Sequence, residues 1–189
     1  MEKDATLFCM NNRRKKAVKR IIFGIGLLIV ALALYWYGNR APEVADFTEC
    51  AERGFLVMES YPRQCKTPDG ETFKEDIGNE LEKDDLIRIS EPRPNAVITS
   101  PLTVKGMARG NWFFEASFPV RLLDSAGKEL VVGIAQAKAN WMTIEFVPFE
   151  ATLTFTLPAT TAGTLLLDKD SPSGLPENED ALRVPVRFR

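Results

Sequence analysis

Three groups of residues in this chain have the types and spacing to do chemistry. The first is its carboxylates: Glu145 with Glu150, and Asp168 with Asp170, are the pairs that could flank a glycosidic bond, a reaction that needs two carboxyls about 5 to 10 Å apart across a cleft. The second is the acidic run Asp168, Asp170, Glu177, Glu179 and Asp180, which could gather some of the six to eight oxygens that calcium takes. Its spacing fits no calcium loop, and Pro172, Gly174 and Pro176 read equally well as a rigid, solvated turn. The third is Trp112, Phe113 and Phe114 with Glu115, an aromatic edge able to stack on a sugar face or anchor a protein interface. Trp112, Phe113 and Glu115 are therefore the candidate binding residues, with core packing as the plainer use of the rings.

What is missing narrows the chemistry further. The chain of 189 residues has no histidine, so it lacks the usual base for a serine or cysteine nucleophile and the commonest proton shuttle at neutral pH. With twenty-six Asp and Glu, paired carboxylates arise by chance. The expectation is a protein that is not an enzyme, with no catalytic residue and no cofactor. Of three cysteines, Cys50 and Cys65 fall close together and Cys9 stands apart. Two cysteines without histidine cannot close a tetrahedral zinc shell unaided, so no metal site is expected.

The placement of these residues follows from one apolar run. Residues 21–37, IIFGIGLLIVALALYWY, carry no charge and follow Arg13, Arg14, Lys15, Lys16, Lys19 and Arg20. Seventeen residues at helical rise span about 26 Å, near the short end for a bilayer core. Tyr35, Trp36 and Tyr37 suit an interfacial aromatic belt, and the basic stub of residues 1–20 favours the cytoplasmic side. The reading is a single-pass membrane protein, amino terminus inside, with everything after Gly38 outside the cytoplasm. A cleaved signal peptide competes, because Ala31-Leu32-Ala33 offers small residues at peptidase spacing. Cutting there leaves Leu34 to Tyr37 as an apolar new terminus.

Charge divides along the same line: the first twenty residues have net charge +5 and the remainder −7. The basic stub is explained as a topology determinant and has no aromatic residue interleaved in its basic run 13–20, so nucleic acid is not an expected partner. Outside the cytoplasm, Cys50 and Cys65 read as a disulfide, with two free buried thiols as the alternative. Closing a loop of that length would stabilise the fold by about 3 kcal/mol in the chain-entropy picture.

Local signals then divide the outer region. Asp46 followed by Glu49, with Gly54 beyond, predicts a short helix over Phe47 to Arg53. Phe55 to Tyr61 reads as extended, Thr67-Pro68-Asp69-Gly70 as a turn, and Phe73 as a returning strand. Residues 46–75 thus form a small cysteine-bounded α+β segment. Residues 76–85 turn polar, with Glu80, Glu82, Lys83, Asp84 and Asp85 around Leu81, and read as a linker. From Leu86 onward the apolar period is two. Leu153, Phe155 and Leu157 alternate with threonines, and Leu182, Val184, Val186 and Phe188 alternate with polar positions and Pro185, which argues for an edge or a bulge. Further strands are expected at Leu86 to Ile89, Leu102 to Ala108, Phe113 to Asp124, Lys128 to Ala137 and Thr164 to Leu167. Within Phe113 to Asp124, alternation allows core and edge uses of the rings: if Phe114 enters the core with Ala116 and Phe118, Phe113 faces the other sheet surface and Trp112 sits at the loop edge. Some seven short strands over residues 86–189 predict an all-β, immunoglobulin-like antiparallel sandwich held by aromatic packing rather than an inter-sheet disulfide.

The ordered motifs SPLTVKGMARGNWFFEASFPVRLLDSAGKEL, NW, FEATLTF and DKDSPSGLPENEDALRVPV resemble the bacterial spore-germination-associated immunoglobulin-like domain, the second type of the Gmad family. The segment FTEC…VMESYPRQCKTPDGETF is similar to short cysteine-bounded segments ahead of varied extracytoplasmic bacterial domains. The family resemblance implies an extracytoplasmic binding module with no attached catalytic residue. The expected partner is an envelope protein, or cell-wall glycan if the aromatic edge is used.

Overall fold

Alternation in the sequence becomes two facing layers of sheet. The computed structural model describes residues 23–35, 43–171 and 179–189. Residues 23–35 are helical (α1) and exposed along their length. They cover the middle of the expected membrane span. Residues 1–22, with the basic stub, and Trp36 and Tyr37 lie outside the described residues. Among the described residues no helix is long and apolar enough to cross a membrane. Residues 46–189 form a separate compact unit.

That unit begins with the cysteine-bounded segment. Helix α2 (Phe47–Glu52) is capped by Asp46, whose Oδ1 accepts from Glu49 N at 2.8 Å, and Gly54 takes φ +75° beyond its end. Strands β1 (Leu56–Met58), β2 (Gln64–Lys66) and β3 (Thr72–Lys74) form an antiparallel sheet in that order. The turn at Thr67 closes with Gly70 N on Thr67 O at 3.0 Å. A disulfide joins Cys50 of α2 to Cys65 of β2, with both side chains fully buried and their Cα atoms 6.0 Å apart.

The larger sheet contains β4 (Ile87–Glu91), β5 (Val97–Ile98), β6 (Leu102–Arg109), β7 (Ser117–Asp124), β8 (Glu129–Ala137), β9 (Phe146–Leu153), β10 (Ala162–Asp168) and β11 (Ala181–Phe188). Their order is β4-β6-β9-β8-β7-β10-β11-β5. Only Gln136↔Glu150 and Ala137↔Phe149 pair β8 with β9, so the sheet turns a corner there. Three strands on one side face five on the other, as in an immunoglobulin-like sandwich. Between them lie Val104, Phe118, Val120, Leu122, Phe149, Leu153, Leu165, Leu182 and Val184, each buried from one face of its strand. Phe118 and Phe149 meet across the layers edge to face at 4.9 Å. Fully burying each such side chain is worth about 1.5–3 kcal/mol, which explains how the layers hold without a covalent link.

Pro185 sits where its missing N–H costs nothing. Residues 183, 185 and 187 turn their backbone groups away from β10: Arg183 N donates to Asn79 Oδ1 at 2.7 Å, Pro185 O accepts from Asn95 N at 2.7 Å, and Arg187 N donates to Ala96 O at 2.9 Å. The ladder with β10 uses the intervening residues.

Three expectations need correction. The strand expected from Ala151 to Leu157 runs instead from Phe146 to Leu153, because its partner β6 starts at Leu102, opposite Leu153. Phe155 stays buried, while Leu157 is exposed. Second, β7 starts at Ser117, after a 3-10 turn over Gly110–Trp112 and a two-residue hairpin turn at Glu115 and Ala116. Those two residues take φ +49° and +62°, as in a type I′ turn. The turn inverts the expected phase, so Phe113 is buried and Phe114 is the more exposed ring.

Third, the stretch at 76–85 read as a linker is a strap. It contains a short helix, α3 (Glu80–Lys83), and buries Ile77 and Glu80. The Asn79 amide brackets β11, donating to Ala181 O at 2.9 Å and accepting from Arg183 N at 2.7 Å. Beside it, Gly78 has φ +68°, and an added Cβ would lie 1.9 Å from Arg183 O.

Two stability changes are expected from this backbone. Gly78→Ala combines a left-handed backbone with a clash and lowers stability by about 2 kcal/mol or more, read as a shift in the denaturant midpoint. Ala116→Gly relieves a left-handed alanine and raises stability by about 1 kcal/mol in the same measurement.

Candidate interaction surface

The candidate residues of the sequence divide between core and surface. Trp112 is fully buried and Phe113 is 4% exposed, packed on Phe118 at 5.2 Å between ring centres. They are core residues, so the proposed aromatic edge is withdrawn. Glu115 is exposed at the tip of its turn, and Phe114 is the only ring of the three near the surface. Tyr35 is exposed on α1.

The carboxylates are largely occupied. Arg121 grips Asp168 with two hydrogen bonds, Nε to Oδ2 at 2.6 Å and Nη2 to Oδ1 at 3.0 Å. That grip is the main reason the Arg121 pKa is raised. Lys83 holds Asp180 at 2.6 Å, Lys138 lies 3.7 Å from Glu150, and Arg109 lies 3.9 Å from Glu145. Among the described residues no group of three or more His, Cys, Asp or Glu is arranged to hold a metal ion.

What the sheet builds instead is a mixed surface. On the outward face of the five-stranded layer, cross-strand register aligns Val132, Arg121, Leu166 and Arg183 in one row. Ile134 and Pro119 pair in the next. Val132 and Ile134 are 48% and 51% exposed. Toward β11 the face opens into a groove of about 990 Å³, lined by Arg121, Asp168, Lys169, Arg183, Asp180 and α3. Lys169 and Arg183 make no ion pair among the described residues. Half-exposed aliphatic side chains thus stand beside a groove lined by both signs of charge. The sequence analysis missed these residues. One signal was available: Leu165, Leu166 and Leu167 are consecutive, so one leucine had to face outward.

A second cluster stands between the cysteine-bounded segment and the sandwich. Glu80, buried, accepts from Arg93 Nη1 at 2.7 Å and from the Tyr61 hydroxyl, and Arg93 also donates to Tyr61 Oη at 2.7 Å and Ile89 O at 2.7 Å. Nearby, Arg63 binds Glu75 through two bonds of 2.8 and 2.6 Å, and Asn95 donates to Asp76 O at 2.7 Å. Desolvation first, then the bond to Glu80, pushes the Tyr61 pKa up to about 12. The bond from Arg63 holds the Glu75 carboxyl below its ordinary value of 4.5. These groups satisfy one another, which makes the cluster a clamp.

Residues 86–175 match Gmad2, the immunoglobulin-like domain of bacterial spore germination. The match supports a place in the Gmad family for this part of the chain, as its motifs suggested. No curated protein matches the chain significantly. Among solved structures, CopC from Methylosinus trichosporium OB3b is similar at 22% identity, with a TM-score of 0.34, over 55% of this chain and 90% of that one. That likeness is too distant to carry an argument.

The clamp has a pH signature. Tyr61 is neutral in the fold and its pKa is raised, so its contribution is complete below pH 10 and is lost as pH rises through about 12. Wild-type protein is expected to lose stability across that interval, and Tyr61→Phe to flatten this step in a series of unfolding curves. Glu75 has the opposite sign: its contribution is complete above pH 4.5 and falls away in more acid solution.

Proposed function

We propose that this is a non-enzymatic, single-pass protein of the bacterial cell membrane. Residues 21–37 form the anchor, the amino terminus lies in the cytoplasm, and the sandwich is displayed outside to bind another envelope protein. The observation that carries the binding role is the row Val132, Arg121, Leu166 and Arg183, with Ile134 beside it. Half-exposed aliphatic residues on a rigid sheet, next to a charge-balanced groove, suit a protein surface better than a small substrate. The buried Cys50–Cys65 disulfide supports the topology, since such bonds persist in oxidising compartments. The matched family is described from bacterial spore germination, so an envelope of that kind is the setting to test first. Glycan binding loses its basis with Trp112 and Phe113 in the core.

Two measurements test this reading. Full-length protein should resist carbonate extraction, and Cys50 and Cys65 should react with thiol reagents only after reduction and unfolding. A carboxyl-terminal reporter that works only in the cytosol overturns the topology. For binding, a photo-crosslinker at Val132 should capture a discrete envelope protein in cells. Ile134→Asp should abolish that adduct while changing stability by no more than about 0.5 kcal/mol.

A further inference from the structure

The cysteine-bounded segment has little apolar core of its own. Its helix α2 has 6 residues and its strands β1, β2 and β3 have 3 each. Between residues 46 and 75 the buried apolar side chains are Phe47, Cys50 and Cys65, at 8%, 0% and 0% exposure. A unit this short with so small a core needs a covalent link to hold its fold. The Cys50–Cys65 bond supplies that link at the centre. It joins α2 to β2, the middle strand that pairs with both β1 and β3.

The sandwich does not share this dependence. Its contiguous core runs from Ile87 to Phe188 and includes no side chain of the segment. The bonds that cross from segment and strap to the sandwich are polar: Tyr61 meets Arg93 at 2.7 Å, and Asn95 donates to Glu75 Oε1 at 3.3 Å and to Asp76 O at 2.7 Å. A cavity of about 540 Å³ lies between Phe47, Thr48 and Lys74 of the segment and Thr164, Pro185 and Arg187 on the outward face of β10 and β11. Surfaces separated by such a gap gain little from dispersion. The strap belongs with the sandwich, since Ile77 is buried and Asn79 brackets β11.

We propose that the Cys50–Cys65 bond is a redox latch. Formed, it keeps the segment folded beside the outward face of β10 and β11. Reduced, it lets residues 46–75 unfold while the sandwich and the strap keep their structure. The chemistry balances with a dithiol reductant: the S–S bond breaks, each cysteine sulfur takes up a hydrogen, and the two sulfurs of the reductant join as a disulfide in their turn. Both cysteines are fully buried, so an attacking thiolate reaches them only when the segment opens locally. Release bares Thr164, Pro185 and Arg187, whose register rows lie beside the pair Leu166 and Arg183 on the same face. The latch is independent of the membrane anchor; only its effect on binding rests on the role proposed above for that face.

Hydrogen exchange read by mass spectrometry tests the latch without reference to any partner. Full-length protein carrying Cys9→Ser, in mild detergent, is compared as the disulfide and after dithiothreitol in a brief denaturant pulse that is then diluted out. On reduction the amides of β2 are expected to exchange about a hundredfold faster, as the entropy of a loop of this length implies, while those at Val120 and Leu165 stay within about twofold. Glutathione disulfide should restore the slow exchange. The Cys50→Ala, Cys65→Ala double variant should show the reduced pattern without any reductant. Slow exchange in β2 after the mass shows the bond reduced overturns the proposal. Protection lost at Val120 and Leu165 together with β2 overturns it too, by making segment and sandwich one cooperative unit. Failure of reoxidation to restore β2 does the same, because a latch must close again.

Discussion

A carboxylate out of water must find a cation and hydrogen-bond donors, and that requirement at Glu80 organises the join between the cysteine-bounded segment and the sandwich. Unpaired, a buried carboxylate would cost several kcal/mol. Arg93 and Tyr61 meet that need, one from just beyond β4 and the other from the cysteine-bounded segment. The geometry therefore fixes three parts of the chain at once. Removing either partner leaves the buried Glu80 carboxylate short of a donor, so the clamp is stable as a whole and weak in pieces.

Rigidity of this kind explains how the surfaces come to be presented. The outward rows of the five-stranded layer are ordered because the register of its strands is set by alternating burial beneath them. Val132 and Ile134 are exposed as the other side of the arrangement that buries Ala135. The β8–β9 loop follows the same logic at an end of the sandwich, where Arg109 and Gly110 fix its backbone. In both places backbone hydrogen bonds hold the main chain and leave apolar side chains exposed.

Much of the fold could be read from the sequence because its signals are local. Leu182, Val184, Val186 and Phe188 announce one face of β11, and Asp46 with Gly54 bounds α2 within one residue. The errors arise where a distant partner decides. Asn79 looks like linker, yet its amide is placed by backbone atoms more than a hundred residues later. Trp112 and Phe113 look like a surface edge until the turn at Glu115 and Ala116 inverts the phase, and neither residue type advertises a left-handed backbone. The outward row Val132, Arg121, Leu166 and Arg183 was hidden for a related reason: alternation marks what is buried and is silent about which outward residues line up across strands.

The covering of β11 has a consequence for crowding. Asn79, Asn95 and Ala96 occupy the outward backbone groups of Arg183, Pro185 and Arg187, and β5 pairs with only the last two positions of the strand. An open rim there would template the addition of a neighbour's strand. With those groups already used, many copies can crowd together without polymerising through that rim.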